Sequence, residues 1–101
     1  MKSLPSHLVP YKRTPEFTED TVPDGLLAAH RTKAGVWGKI VVVAGHLTYR
    51  ILEPGVEEVP LRTGVDGVVE PTVKHEVVPQ PGVRFYVEFY RAETRDDGSS
   101  D

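Results

Sequence analysis

The stretch from His30 to Leu52 constrains this chain most, because short β-branched and aromatic runs follow one another there with only glycine turns between them. Ile40 to Val43 is an unbroken β-branched run that stops at Ala44-Gly45. Leu47 to Leu52 follows at once, with Tyr49 and Ile51 alternating against Thr48 and Arg50. Runs of that length and period are strands, and one glycine between two of them reads as a hairpin. The pattern repeats along the chain. Strands are expected over Leu26 to His30, Val36 to Ala44, His46 to Leu52, Glu57 to Leu61, Val68 to Glu70, Val73 to Val78 and Val83 to Arg91. In the last of these, Phe85, Val87 and Phe89 alternate with Arg84, Tyr86, Glu88 and Tyr90, the mark of a half-buried strand. Leu26 to Arg31 has good helix propensity, but it is too short to hold a helix.

At 101 residues the chain is expected to form one domain with one modest core. Nine Gly and nine Pro are spread along it, which suits many strands joined by tight turns. There is no cysteine, so neither a disulfide framework nor a thiolate metal site exists. Of fifteen acids and twelve bases, four acids (Glu93, Asp96, Asp97, Asp101) and one base (Arg95) fall in the last ten residues, leaving eleven of each. That near-neutral body, with scattered bases, lacks the footprint of a nucleic-acid binder. No apolar run approaches the roughly 20 residues of a membrane span, and no signal-peptide core opens the chain. The expected setting is cytoplasmic, with neither nucleic acid nor membrane as partner.

Three segments follow. Residues 1–25, with Pro5, Pro10, Pro15 and Pro23, cannot sustain a helix and read as an extended arm packed on the sheet, anchored by Tyr11 and Phe17. Within it, Thr18 to Thr21 reads as a turn. Residues 26–91 carry the β-sandwich core, and residues 92–101 have nothing to bury and read as a disordered acidic tail. About eight short strands with regular turn signals predict an all-β jelly roll.

The histidines are the chemistry-bearing candidates. His30 and His75 lie on different strands, separated by enough chain to wrap once around a sandwich, and neutral imidazole is the commonest metal ligand. Two such histidines plus a carboxylate would make an open metal site. His7, in the arm, and His46, at a turn, read as structural or surface residues.

The run His30-Arg31-Thr32-Lys33-Ala34-Gly35-Val36-Trp37-Gly38-Lys39, with Val69-Glu70-Pro71 and His75 downstream, resembles the small cupin family of TehB/YeaR-like proteins, related to the N-terminal domain of the tellurite-resistance protein TehB. Tyr11 to Pro15 and Phe85 to Tyr90 match the same family, so the resemblance covers roughly Tyr11 to Arg91. It implies a double-stranded β-helix, the cupin jelly roll, with any site in the barrel mouth. Cupins at large carry two histidines and a glutamate in a first motif and one histidine in a second. Here Thr32 stands where a second histidine is sought, and Gly38 or Lys39 stands near the glutamate position. The resemblance puts His30 and His75 near the first and last histidine positions, and a site holding one divalent ion (Zn, Ni, Fe or Mn) would take Glu88, or else Glu70, as its third ligand. Period two, however, puts Glu88 on the face opposite the core.

Lys33, Trp37, Lys39 and Glu70 complete the expected pocket, the lysines favouring a small oxyanion beside His30. A small-molecule or oxyanion ligand, a stress-response role linked to tellurite resistance, and a homodimer through Tyr86 and Tyr90 are the remaining expectations. Longer members of the family carry a methyltransferase domain. No glycine-rich S-adenosylmethionine loop is present in this sequence, so methyl transfer is not expected of it. The rival reading is a ligand-sensing or dimerisation module without turnover.

Overall fold

The computed structural model describes residues 1–28 and 30–93, and it divides their strands between two antiparallel sheets around a shared core. The chain enters through β1 (Leu8–Arg13) and β2 (Phe17–Thr18), then a 3₁₀ turn at Asp24–Leu27. It continues as β3 (Trp37–Ala44), β4 (His46–Ile51), β5 (Glu57–Arg62), β6 (Gly67–Val69), β7 (His75–Pro79) and β8 (Arg84–Ala92). In the first sheet β8 lies between β3 and the collinear pair β1 and β2, and β6 closes the far edge of β3. In the second, β4 lies between β5 and β7. Pro10, Pro60 and Pro79 all fall on edge strands, where a missing N–H costs no ladder bond. The expected arm thus joins the first sheet as two edge strands. The acidic tail from residue 94 onward lies outside the described residues.

The hairpin expected at Gly45 is not formed. β3 pairs with β6 and β8, whereas β4 pairs with β5 and β7, so Gly45 is where the chain leaves one sheet for the other. Its φ is +77°, and a Cβ there would sit 2.9 Å from the Val83 Cα and 3.1 Å from the Gly82 carbonyl oxygen. The close approach of the β7–β8 turn, with a positive φ, makes this corner a glycine position. Local sequence cannot separate the two outcomes, because a sheet-switching corner and a hairpin turn both place glycine between period-two runs.

The strand expected over Leu26 to His30 is also replaced. Pro23, at φ −62°, leads into the 3₁₀ turn, closed by Leu26 N–H donating to the Pro23 carbonyl at 2.9 Å. Among the described residues of that stretch only His30 keeps ladder pairing, as an isolated bridge to His75. Thr18 to Thr21 is a turn as expected, its Thr18 N–H donating to Thr21 Oγ1 at 2.8 Å.

Period two decides what reaches the core. Gly38, Ile40 and Val42 of β3, Leu47, Tyr49 and Ile51 of β4, and Phe85 and Val87 of β8 are buried between the sheets. The sheets are also tied directly, since the Tyr49 hydroxyl donates to the Val68 carbonyl at 2.9 Å. Tyr49, Phe85, Ile40, Leu47 and Leu61 are the largest side chains fully buried between them. Where Gly38, Val69, Val77 and Val87 face inward, the side chains are smaller. There the sheets leave a cavity.

Candidate functional site

The cavity has a volume of about 210 Å³. Both sheets form its walls, Gly38, Val69, Val87 and Phe89 from one and His75 and Val77 from the other. Pro23, Gly25 and Leu26 cover it from the 3₁₀ turn, and Thr14 and Phe17 from the N-terminal edge. Its polar side chains are few: His30, His75, Thr14 and Thr32. Thr32 is committed elsewhere, its hydroxyl donating to the Val36 carbonyl at 2.8 Å, and Thr14 Oγ1 accepts the Val87 N–H at 3.0 Å. The two imidazoles are the groups left to meet a ligand.

Their proximity is a backbone effect. His30 N–H donates to the His75 carbonyl at 2.7 Å, and His75 N–H returns the bond at 2.9 Å. A directly opposed antiparallel pair projects both side chains to the same face. The rings meet edge to face, with centroids 5.3 Å apart, and Tyr49 packs on His75 at 5.9 Å. His75 is only 3% exposed. Its Nδ1 lies 3.2 Å from the Val73 carbonyl, which can only accept, so Nδ1 carries the proton and Nε2 presents a lone pair. Burial pushes the His75 pKa below its ordinary value, and the neighbouring His30 adds to the shift. Burial at this position therefore favours the neutral imidazole over the charged one. His30 Nδ1 is buried with no hydrogen-bond partner among the described residues, an unsatisfied group in an otherwise paired interior.

Among the expected site residues, His30 and His75 come together and the others do not join them in the cavity. Glu88 projects from the outer face of β8, as period two requires. It accepts from the Tyr90 hydroxyl at 2.6 Å and from Arg13 at 3.0 Å, with the Lys39 ammonium at 3.8 Å. The Tyr90 hydrogen bond, with Arg13 and Lys39 behind it, lowers the Glu88 pKa below the usual carboxylate value. Trp37 and Lys39 stand on the same outer face, opposite Tyr90 and Glu88 in register. Glu70 turns to Lys2 at 3.5 Å, and only its backbone carbonyl reaches Thr32. Lys33 lies outside the cavity, on a neighbouring surface groove. The tyrosines expected at a dimer contact are engaged within the chain, Tyr90 by Glu88 and Tyr86 by the Arg13 guanidinium 4.4 Å from its ring.

Among the described residues no group of three or more His, Asp or Glu side chains is placed to hold a metal ion. Two imidazoles fall short of the three protein ligands of an open catalytic metal site, so the residues here do not fit that centre. Thr14, Leu26 and Gly38 were missed as cavity residues. Gly38 could have been found, since a glycine at an inward position of a β-branched strand leaves room where its neighbours fill it. Leu26 could not, because its place depends on the 3₁₀ turn.

The model of the TehB-like domain family matches residues 12–87, most of the two-sheet unit. The chain belongs to the TehB-like family. Over 53 residues it is 38% identical to a probable S-adenosyl-L-methionine-dependent methyltransferase TehB of Haemophilus influenzae Rd, and 36% identical to the corresponding protein of strain 10810. Each alignment takes in 52% of this chain and 18% of the relative. The crystal structure of TehB from H. influenzae superposes with a TM-score of 0.80 at 28% identity, covering 86% of this chain and 32% of that one. The TehB-like domain thus spans about a third of the solved TehB chain. A crystal structure of an Escherichia coli K12 protein superposes with a TM-score of 0.84 at 20% identity, covering 93% of this chain and all of that one, which shows a shared fold. No helix among the described residues is long and apolar enough to cross a membrane.

Proposed function

We propose that this TehB-like domain is a small-molecule-binding module of cupin jelly-roll type, whose ligand enters between the sheets and rests against His30 and His75. The jelly-roll reading is supported by the path of the chain, which after β3 passes to β4 and β5 in the second sheet, back to β6, across to β7 and back to β8. The binding reading is carried by one observation: a cavity of about 210 Å³ with apolar walls and two adjacent imidazoles, one of them with a buried unpaired nitrogen. Ligand sites are commonly apolar concavities with a few placed polar groups. An engineered apolar cavity of roughly 150 Å³ takes up benzene, so this one has room for a monocyclic ligand.

A neutral His75 suits hydrogen bonding to a bound molecule through Nε2 better than binding of an anion within the cavity. In a longer relative such as TehB, a domain of this kind would serve its methyltransferase by holding a small molecule, and a part in tellurite-linked stress follows from the same kinship. Toluene, followed by ¹H–¹⁵N correlation spectra of the full chain, tests the reading. Saturable shifts should cluster at Leu26, His30, His75 and Val87, and Leu26→Trp, which fills the cavity from the 3₁₀ turn, should abolish them without unfolding the sheets. Unsaturable or scattered shifts would overturn the proposal.

A further inference from the structure

The cavity opens onto a charged surface. His30, Thr32 and Phe89 line it and also line a shallower groove of about 260 Å³, whose other walls include Tyr11 and the cations Lys12, Arg31 and Lys33. Among the described residues no carboxylate lines this groove. Arg31 is held in place, its guanidinium donating to the Thr72 carbonyl at 2.7 Å and to Glu53 at 3.1 Å. Lys12 and Lys33 are exposed and enter none of the salt bridges among the described residues. Two exposed cations at the mouth of an apolar cavity, neither paired among the described residues, form a potential that favours an anion at the mouth and nowhere deeper. A carboxylate inside would lose its hydration among valines and a neutral imidazole, which is far more costly than leaving it in the groove.

We infer that the ligand is a small amphiphilic monoanion. Its compact apolar body, about six to eight carbons by comparison with benzene-sized cavities, fills the space between the sheets. Its carboxylate lies in the groove between Lys12 and Lys33, and His30, common to both compartments, marks the junction. An inorganic oxyanion meets only the groove half of this arrangement, and a neutral hydrocarbon only the cavity half. The inference rests on the binding reading above, and its test separates the two.

Benzoate, benzamide, acetate and toluene are titrated into the full chain and into a Lys12→Gln/Lys33→Gln variant, with ¹H–¹⁵N spectra as the readout. Benzoate should bind roughly tenfold more tightly than benzamide or acetate in dilute buffer, an advantage that 1 M salt should largely remove because exposed charges are screened over about 3 Å there. The double variant should bring benzoate down to the benzamide level while toluene binding is unchanged, which also shows that the variant is folded. Equal affinity for benzoate and benzamide, with toluene still bound, would overturn the amphiphile inference and leave the cavity reading standing. Acetate binding as tightly as benzoate would overturn it too, by confining the anion to the groove. Failure of toluene, benzamide and benzoate alike would overturn both readings.

Discussion

Gly45→Ala tests the corner on which the two-sheet arrangement depends, and Gly35→Ala is its internal control. Both glycines have left-handed backbone, φ +77° at Gly45 and +80° at Gly35. An L residue in that region costs about 1–2 kcal/mol, and this cost is common to the two variants. They differ in surroundings. A Cβ at Gly35 meets nothing within 4 Å among the described residues, whereas at Gly45 it would lie 2.9 Å from the Val83 Cα and 3.1 Å from the Gly82 oxygen. Those are backbone atoms of the β7–β8 turn, which cannot rotate away as a side chain would. Overpacking of this kind adds about 1–3 kcal/mol. Gly35→Ala should therefore lose about 1–2 kcal/mol and Gly45→Ala about 2–5 kcal/mol. At about 4–8 °C per kcal/mol for a domain of this size, thermal melts followed by circular dichroism resolve the gap. If Gly45→Ala is no less stable than Gly35→Ala, the Gly45 corner does not press on the β7–β8 turn and the sheet switch described here is wrong.

Three further outcomes are expected. The His75 pKa is lowered in the folded state, so below pH 6.5 the unfolded chain binds more protons, and folding stability should fall with a slope of up to about 1.4 kcal/mol per pH unit from this group until the folded pKa is passed; denaturant midpoints of wild type and His75→Gln across that range check it, and equal pH dependence would refute it. Tyr49→Phe removes the hydroxyl that joins the sheets through the Val68 carbonyl and should cost about 1–2 kcal/mol, read as a lower urea midpoint. Glu88→Gln should leave toluene binding unchanged, because Glu88 faces away from the cavity, and cost about 1 kcal/mol at neutral pH through the lost charged hydrogen bonds. Because the Glu88 pKa is lowered, its contribution is present above the ordinary carboxylate value and lost as pH falls through the folded one, so wild type and variant should converge in acid.

Much of the strand inventory was legible because burial on one face imposes period two, and the inward set Phe85, Val87 and Phe89 in β8 could be assigned directly. The same period placed Glu88 outside, against its candidacy as a third metal ligand. Pairing partners were not legible. Whether Gly45 turns β4 back onto β3 or across to the other sheet depends on β6, β7 and β8, which compete for the same edges from far along the chain. The His30–His75 contact was legible as two candidates of one residue type. Its cause, one reciprocal backbone bridge outside any regular strand, leaves no periodic trace. The groove cations were half legible: Lys33 stood in the motif, while Lys12 comes from an arm whose attachment to β8 only the fold reveals.

The run from His30 to Lys39 shows how one motif serves two faces and a turn. Gly35 provides the left-handed turn that Val36 N–H closes onto the Lys33 carbonyl at 3.0 Å, and that turn sets where β3 begins. From there the chain alternates: Gly38 faces inward beside Val69 and Val87 and keeps the cavity open, while Trp37 and Lys39 face outward against Tyr90 and Glu88. Before the turn, His30 and Thr32 border both cavity and groove, and Lys33 joins the groove. A one-residue insertion within Gly35-Val36-Trp37-Gly38 would reverse the faces, putting an indole or an ammonium where the glycine leaves space. The spacing from Gly35 to Lys39 is thus fixed by the pleat, and that from His30 to Gly35 by the mouth, which is why cavity and fold are written into the same ten residues.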